Sequence, residues 1–96
     1  MIKIQVRAVG LLVRVLCAKE FDVSLPAGAT AETLLRALLA RYGEELAKWT
    51  TNSEGQIENQ HVRILVNGKE LFMLRGVDSV LAEGDVVSMI PVVGGG

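Results

Sequence analysis

Residues 81–96 read LAEGDVVSMIPVVGGG. Residues 86–90 of this stretch form an apolar run broken only by Ser88, which is typical of a central strand that is covered on at least one face. The chain then passes Pro91 and runs into three glycines, the residue type that loses most backbone entropy when it is ordered in a strand. The stretch therefore predicts a central strand that leads into a thin tail without side chains.

Alternating apolar and polar residues predict three more strands, at about residues 2–8, 20–25 and 62–66. Asn67-Gly68 follows the third of these. This pair is the strongest hairpin signal, because a type I′ turn needs a positive φ at both central residues.

After the turn, we expect Leu71 and Met73 to continue the inner face of a fourth strand. Phe72 and Leu74 would then point outward from the sheet. An exposed aromatic residue beside a leucine is a candidate contact for a partner protein.

One main helix is predicted over about residues 31–42. Thr30 is the expected N-cap and Gly43 the expected C′ residue, and leucines recur between them at helical spacing. The helix can restart over residues 44–49. Residues 11–17 (LLVRVLC) are left open between a strand extension and an apolar loop. Four apolar residues of this segment are also a second candidate contact patch for a partner: Leu11, Leu12, Val13 and Leu16.

One helix and four or five strands pack most economically as a mixed sheet curled around the helix. We therefore predict an α+β fold of the β-grasp (ubiquitin-like) type, with the domain at residues 1–91 and a flexible Gly-rich tail at residues 92–96. Five residues beyond Pro91 span about 17 Å when extended. The fixed φ of Pro91 and its missing N–H are expected to end the ladder and aim the tail outward.

Composition excludes several function classes. Ten Lys and Arg against eleven Asp and Glu give a net charge of −1, without the basic stripe that nucleic-acid binding needs. No apolar run is long enough to span a membrane. A single cysteine, Cys17, is interpreted as a small apolar filler and indicates a cytoplasmic protein. No metal site is expected, and we expect a monomer when no partner is present.

The chain resembles the MoaD/ThiS-type ubiquitin-like sulfur carriers over essentially all of its 96 residues, most specifically in its second half. The resemblance is carried by VNGKEL at residues 66–71, GVDS at 76–79, Leu81, EGDVVS at 83–88, and Pro91 before the terminal Gly95-Gly96. The CysO-like carriers and the archaeal small modifiers called SAMPs look most similar. Gly94 departs from the many relatives that have Ala or Ser there.

The resemblance implies that Gly96, preceded by Gly95, is the reactive end of the chain. Gly94, Val93, Val92 and Pro91 would thread into a channel of a partner. That partner would be an E1/MoeB-like enzyme that adenylates the carboxylate with ATP and Mg²⁺, so no cofactor is expected on this chain. A sulfur-accepting enzyme, or the lysines of target proteins, would then receive the activated group.

Three functions stay open. The chain is a sulfur carrier for a molybdopterin, cysteine, thiamin or tRNA thiolation pathway, a protein modifier that acts through the same C-terminus, or an interaction domain without tail chemistry. A free-standing enzyme is the weakest class, because no nucleophile with a matching base and no phosphate-binding loop is apparent. It could still be the small non-catalytic subunit of a synthase.

Overall fold

The computed structural model describes residues 1–58 and 61–92, with the backbone alone for Phe72. In chain order, the elements are β1 (Ile2–Ala8), α1 (Leu12–Leu16), β2 (Glu20–Leu25), α2 (Ala31–Tyr42), α3 (Glu44–Thr50), β3 (Val62–Val66), β4 (Lys69–Glu70), two 3-10 turns (Leu71–Met73 and Gly76–Asp78) and β5 (Val86–Pro91).

The five strands form one mixed sheet in the order β2-β1-β5-β3-β4. β5 lies in the centre, parallel to β1 and antiparallel to β3. Alternate residues of β5 are fully buried, and those between them are half-buried. The predicted central strand and the predicted mixed sheet of the β-grasp type are therefore confirmed.

Helix α2 covers the inner face of this sheet and has the predicted bounds. Its start is stabilised by a reciprocal pair of bonds, since the Thr33 amide donates to Thr30 Oγ1 (3.3 Å) and the Thr30 amide donates to Thr33 Oγ1 (3.1 Å). Leu34, Leu35 and Leu38 are buried in the core that α2 shares with the strands. The predicted restart of the helix after Gly43 is also confirmed, as α3.

Both interpretations of residues 11–17 were wrong, because this segment contains the short helix α1. Leu12 and Leu16 are one helical turn apart and both are buried, so one face of α1 belongs to the core. Cys17 ends the helix with a φ of 60° and is exposed. It is therefore not an apolar filler.

The segment after the Asn67-Gly68 turn also differs from the prediction. Both turn residues have positive φ, as expected, but β4 has only two residues. The chain then enters a 3-10 turn, in which Leu71 is buried and Met73 is 70% exposed. Leu71 and Met73 do not share an inner strand face, because an alternating pattern of three residues fits one tight helical turn equally well.

Within the described residues, the search for a helix long and apolar enough to cross a membrane finds none.

Candidate functional site

The central strand carries the chain out of the core at Pro91. This residue is buried and pairs with Val62 of β3. The amide of Val92 still donates to the carbonyl oxygen of His61 at 2.9 Å. The expectation that Pro91 ends the ladder was therefore wrong by one residue, because the pairing continues through the next amide.

The turn between β1 and α1 lies on the other side of Pro91. The Val9 amide donates to the Met89 carbonyl oxygen at 3.2 Å, so β1 remains beside β5 up to this point. Gly10 follows with a φ of +60°, and a Cβ placed on it would lie 3.3 Å from Pro91 Cγ. The proline ring therefore packs closely against the backbone of Gly10.

Apolar side chains are exposed around this exit. Leu11 is 58% exposed, Val9 48% and Val92 40%. We call these three residues the exit rim. Large apolar residues so exposed, grouped at one end of a sheet, are typical of a surface that a partner covers. Sequence reasoning predicted Val92 as part of the tail and placed Leu11 in a candidate contact patch. It missed Val9, whose only signal was its apolar character beside a glycine.

A shallow groove of about 320 Å³ opens on the β3 side of the exit, and it is lined by Lys48, Trp49, His61 and Val92. Trp49 is half-buried against the core and forms one wall of the groove. Lys48 pairs with Glu45 at 3.4 Å. The groove thus offers an aromatic surface and polar groups directly beside the residue where the tail begins.

Leu74, which was predicted to contact a partner protein, does not line the groove beside the tail exit. It follows the first 3-10 turn and lines a second groove with Arg75, Ser79 and Val80. This groove lies at the start of α2, where the Ala31 amide donates to the carbonyl oxygen of Ser79 at 2.9 Å and Val80 pairs with Thr30. It shares no lining residue with the groove at the tail exit. The side chain of Phe72 lies outside the described structure, so a partner surface at Phe72 and Leu74 stays a prediction.

The predicted reactive residues Gly96 and Gly95, and the tail residues Gly94 and Val93, lie outside the described residues. Their roles stay predictions. Among residues 1–58 and 61–92, no three or more His, Cys, Asp or Glu side chains gather as a metal ion would need.

Comparison with known proteins identifies the family of this chain. The family model described as the ThiS family matches residues 12–96. Small archaeal modifier protein 3 of Haloferax volcanii is 37% identical over 68 residues, which make up 71% of each chain.

Solved structures share the fold. The putative molybdopterin converting factor, subunit 1, of Pyrococcus furiosus is 29% identical, with a TM-score of 0.76 over 97% of this chain and all of that one. A chain of the Amycolatopsis orientalis BexX/CysO complex is 20% identical, with a TM-score of 0.70 over 97% of this chain and 99% of that one, which shows the fold alone.

The family match covers most of the chain, from α1 through the central strand to the terminal glycines. The sheet order and the covering helix agree with it. The chain therefore belongs to the ThiS family of small ubiquitin-like carriers and modifiers, which are generally not catalysts themselves.

Proposed function

We propose that this chain is a sulfur carrier whose Gly96 carboxylate is adenylated by an E1/MoeB-like enzyme and then converted to a thiocarboxylate. The observation that carries the proposal is the position of β5 in a chain of this family. The central strand of the sheet leads directly into Val92, which is followed by Val93 and the glycines at positions 94–96. A rigid body that ends in residues without side chains can deliver a carboxylate into a narrow active site.

The chemistry follows from the carboxylate being a poor acyl donor. An oxygen of the Gly96 carboxylate would attack the α-phosphorus of ATP, and the bond from that phosphorus to pyrophosphate would break. Sulfide would then attack the carbonyl carbon of the acyl-adenylate, and AMP would leave with the electrons of the carbon–oxygen bond. The ATP site and Mg²⁺ belong to the enzyme, so this chain supplies the acyl group and its presentation.

The short tail determines where the enzyme must bind. Four residues beyond Val92 reach about 13 Å at full extension. An active site that holds Gly96 therefore comes within that distance of the exit rim, and the enzyme surface around its channel covers Val9, Leu11 and Val92. Their exposed apolar area supports this docking position, because burial of such area stabilises a complex.

A second role uses the same activated end. If a lysine amine attacks the acyl-adenylate in place of sulfide, AMP leaves and an isopeptide bond forms. The observation that favours this role is the 37% identity to a small archaeal modifier protein. Digests of native cell extract would then contain lysines that carry a remnant of this C-terminus, and the absence of such lysines under all growth conditions would exclude the modifier role.

The mass of the intact chain tests the carrier proposal. We expect incubation with the E1/MoeB-type enzyme of the same organism, ATP, Mg²⁺ and sulfide to replace one oxygen by sulfur. A matched chain that lacks Gly95-Gly96 keeps the whole described domain and should not change. If the full chain stays unmodified while the enzyme is active on another carrier, the proposal is wrong.

A further inference from the structure

Gly10 differs from the other described glycines in what surrounds it. Seven glycines of the described residues have positive φ, and only at Gly10 would an added Cβ meet another residue within 4 Å. That residue is Pro91, with Cγ at 3.3 Å and Cδ at 3.9 Å. The φ of +60° explains why glycine suits this turn, but it does not explain why the turn lies against the last residue of β5.

Pro91 has little freedom to move. Its ring fixes its own φ, and it is buried between the Gly10 turn and β3. The next amide, that of Val92, is bound to the His61 carbonyl oxygen at 2.9 Å. Any displacement of the ring away from Gly10 is therefore passed to Val92, where the tail begins.

We propose that Gly10 is a positioning residue for the C-terminal tail. The absence of a side chain at Gly10 lets the Pro91 ring pack against the backbone, and this packing sets the direction in which the chain leaves β5. The importance of that direction for activation rests on the function proposed above. The packing itself can be tested without any enzyme.

Gly76 provides a matched control for substitution at Gly10. Its φ is +59°, so alanine there also has to adopt a left-handed φ, but a Cβ at Gly76 would meet nothing within 4 Å. Gly10→Ala and Gly76→Ala therefore differ in the contact with Pro91. At Gly10 the ring must move by a few tenths of an ångström to accept the methyl group.

The first measurement is hydrogen exchange of the Val92 amide by NMR. We expect Gly10→Ala to raise its exchange rate by about tenfold relative to the central amides of β5, because overpacking weakens the bond to His61. Gly76→Ala should leave that ratio unchanged. If both variants behave alike, backbone strain explains the effect and the proposal is wrong.

A double-mutant cycle adds a rescue test. Pro91→Ala removes Cγ and Cδ, so a methyl group at residue 10 gains room. We expect Gly10→Ala to change the Val92 exchange rate much less in the Pro91→Ala background, whereas Gly76→Ala has the same effect in both backgrounds. Equal effects of Gly10→Ala in the two backgrounds would overturn the proposed contact.

The activation reaction supplies the functional measurement. With the E1/MoeB-type enzyme, we expect Gly10→Ala to lower kcat by about tenfold with little change in KM, because a misdirected carboxylate binds but reacts slowly. If the wild-type chain is activated and Gly10→Ala has the same kcat, Gly10 does not position the tail. If the wild-type chain is not activated at all, the proposed function fails, and the exchange measurements still decide whether Gly10 determines the packing of Pro91.

Discussion

The two ends of β5 are held in different ways. At its beginning, the Val86 amide donates to Asn67 Oδ1 at 2.9 Å, and the Asn67 amide donates to the Val86 carbonyl oxygen at 2.8 Å. Asn67 Nδ2 also donates to Asp85 Oδ1 at 3.0 Å, and Asp85 Oδ2 accepts from the Ala82 amide at 2.8 Å. Polar side chains therefore fix the position of the strand where it enters the sheet.

At its other end, β5 is held by backbone groups and by packing. The Val92 amide donates to His61, and the ring of Pro91 lies against Gly10. The large side chains nearby, Val9 and Leu11, are exposed. This end leaves its apolar side chains available to a partner, so we expect changes there to affect the tail reaction more than stability, and changes at the beginning of β5 to do the opposite.

The largest effect is expected from Asn67→Ala. This change removes two side-chain hydrogen bonds and places alanine at a φ of 53°. Together these losses should lower the free energy of unfolding by about 2–3 kcal/mol. Urea denaturation measures the change. The kcat and KM of activation should stay at their wild-type values at a temperature where the variant is folded.

Asn67→Gly separates the two causes, because glycine accepts the positive φ but lacks the side chain. It should be less destabilised than Asn67→Ala. If Asn67→Ala instead slows activation while its stability is unchanged, the division of roles between the two ends of β5 is wrong.

A smaller effect is expected at the exit rim. Leu11→Asp replaces an exposed apolar contact by a charge, and loss of one such contact from an interface raises the KM of the activating enzyme by about tenfold. Stability should change by less than about 0.5 kcal/mol, because Leu11 is exposed. Steady-state kinetics and thermal denaturation of the same preparation measure both.

Val80→Asp is the matched control, since Val80 is 68% exposed and lies beside Leu74 in the second groove. We expect its KM to equal that of the wild-type chain. A raised KM for Val80→Asp together with an unchanged KM for Leu11→Asp would move the docking surface to the groove at Leu74.

The smallest effect is expected for Glu83→Ala. Glu83 Oε1 accepts from the amide of Lys3 at 2.9 Å, near the beginning of β5, but the bond is exposed. Its loss should cost less than about 1 kcal/mol of stability and leave activation unchanged. Glu83→Gln retains an acceptor oxygen, so its stability should lie between that of Glu83→Ala and that of the wild-type chain. A slower tail reaction in either variant would show that the two ends of β5 are coupled.

Local patterns were enough to predict much of this fold. Helix α2 has a capping threonine and a leucine stripe, and the Asn67-Gly68 turn has the residues that its φ values need. Helix α1 was missed because five residues are too few for a helical period to be distinguished from a strand or a loop. The end of β4 at Glu70 was missed because the alternation over residues 71–73 fits a 3-10 turn as well as a strand.

The candidate site was predictable only in part. The glycine tail is visible in the sequence, because three glycines after an apolar strand have no role in a core. The contact between Gly10 and Pro91 joins opposite ends of the chain, and no local pattern encodes it. The exit rim likewise exists only because β1 and β5 are neighbours in the sheet.

The central claim is that the C-terminal carboxylate is the group on which the enzyme acts. Exchange of labelled pyrophosphate into ATP by the activating enzyme tests it, with the chain ending in the free acid compared with the same chain ending in an amide, which has no carboxylate to adenylate. The account predicts exchange with the acid and none with the amide. Equal exchange with the acid and the amide would contradict it. So would the absence of exchange with the acid when the same enzyme preparation activates another carrier.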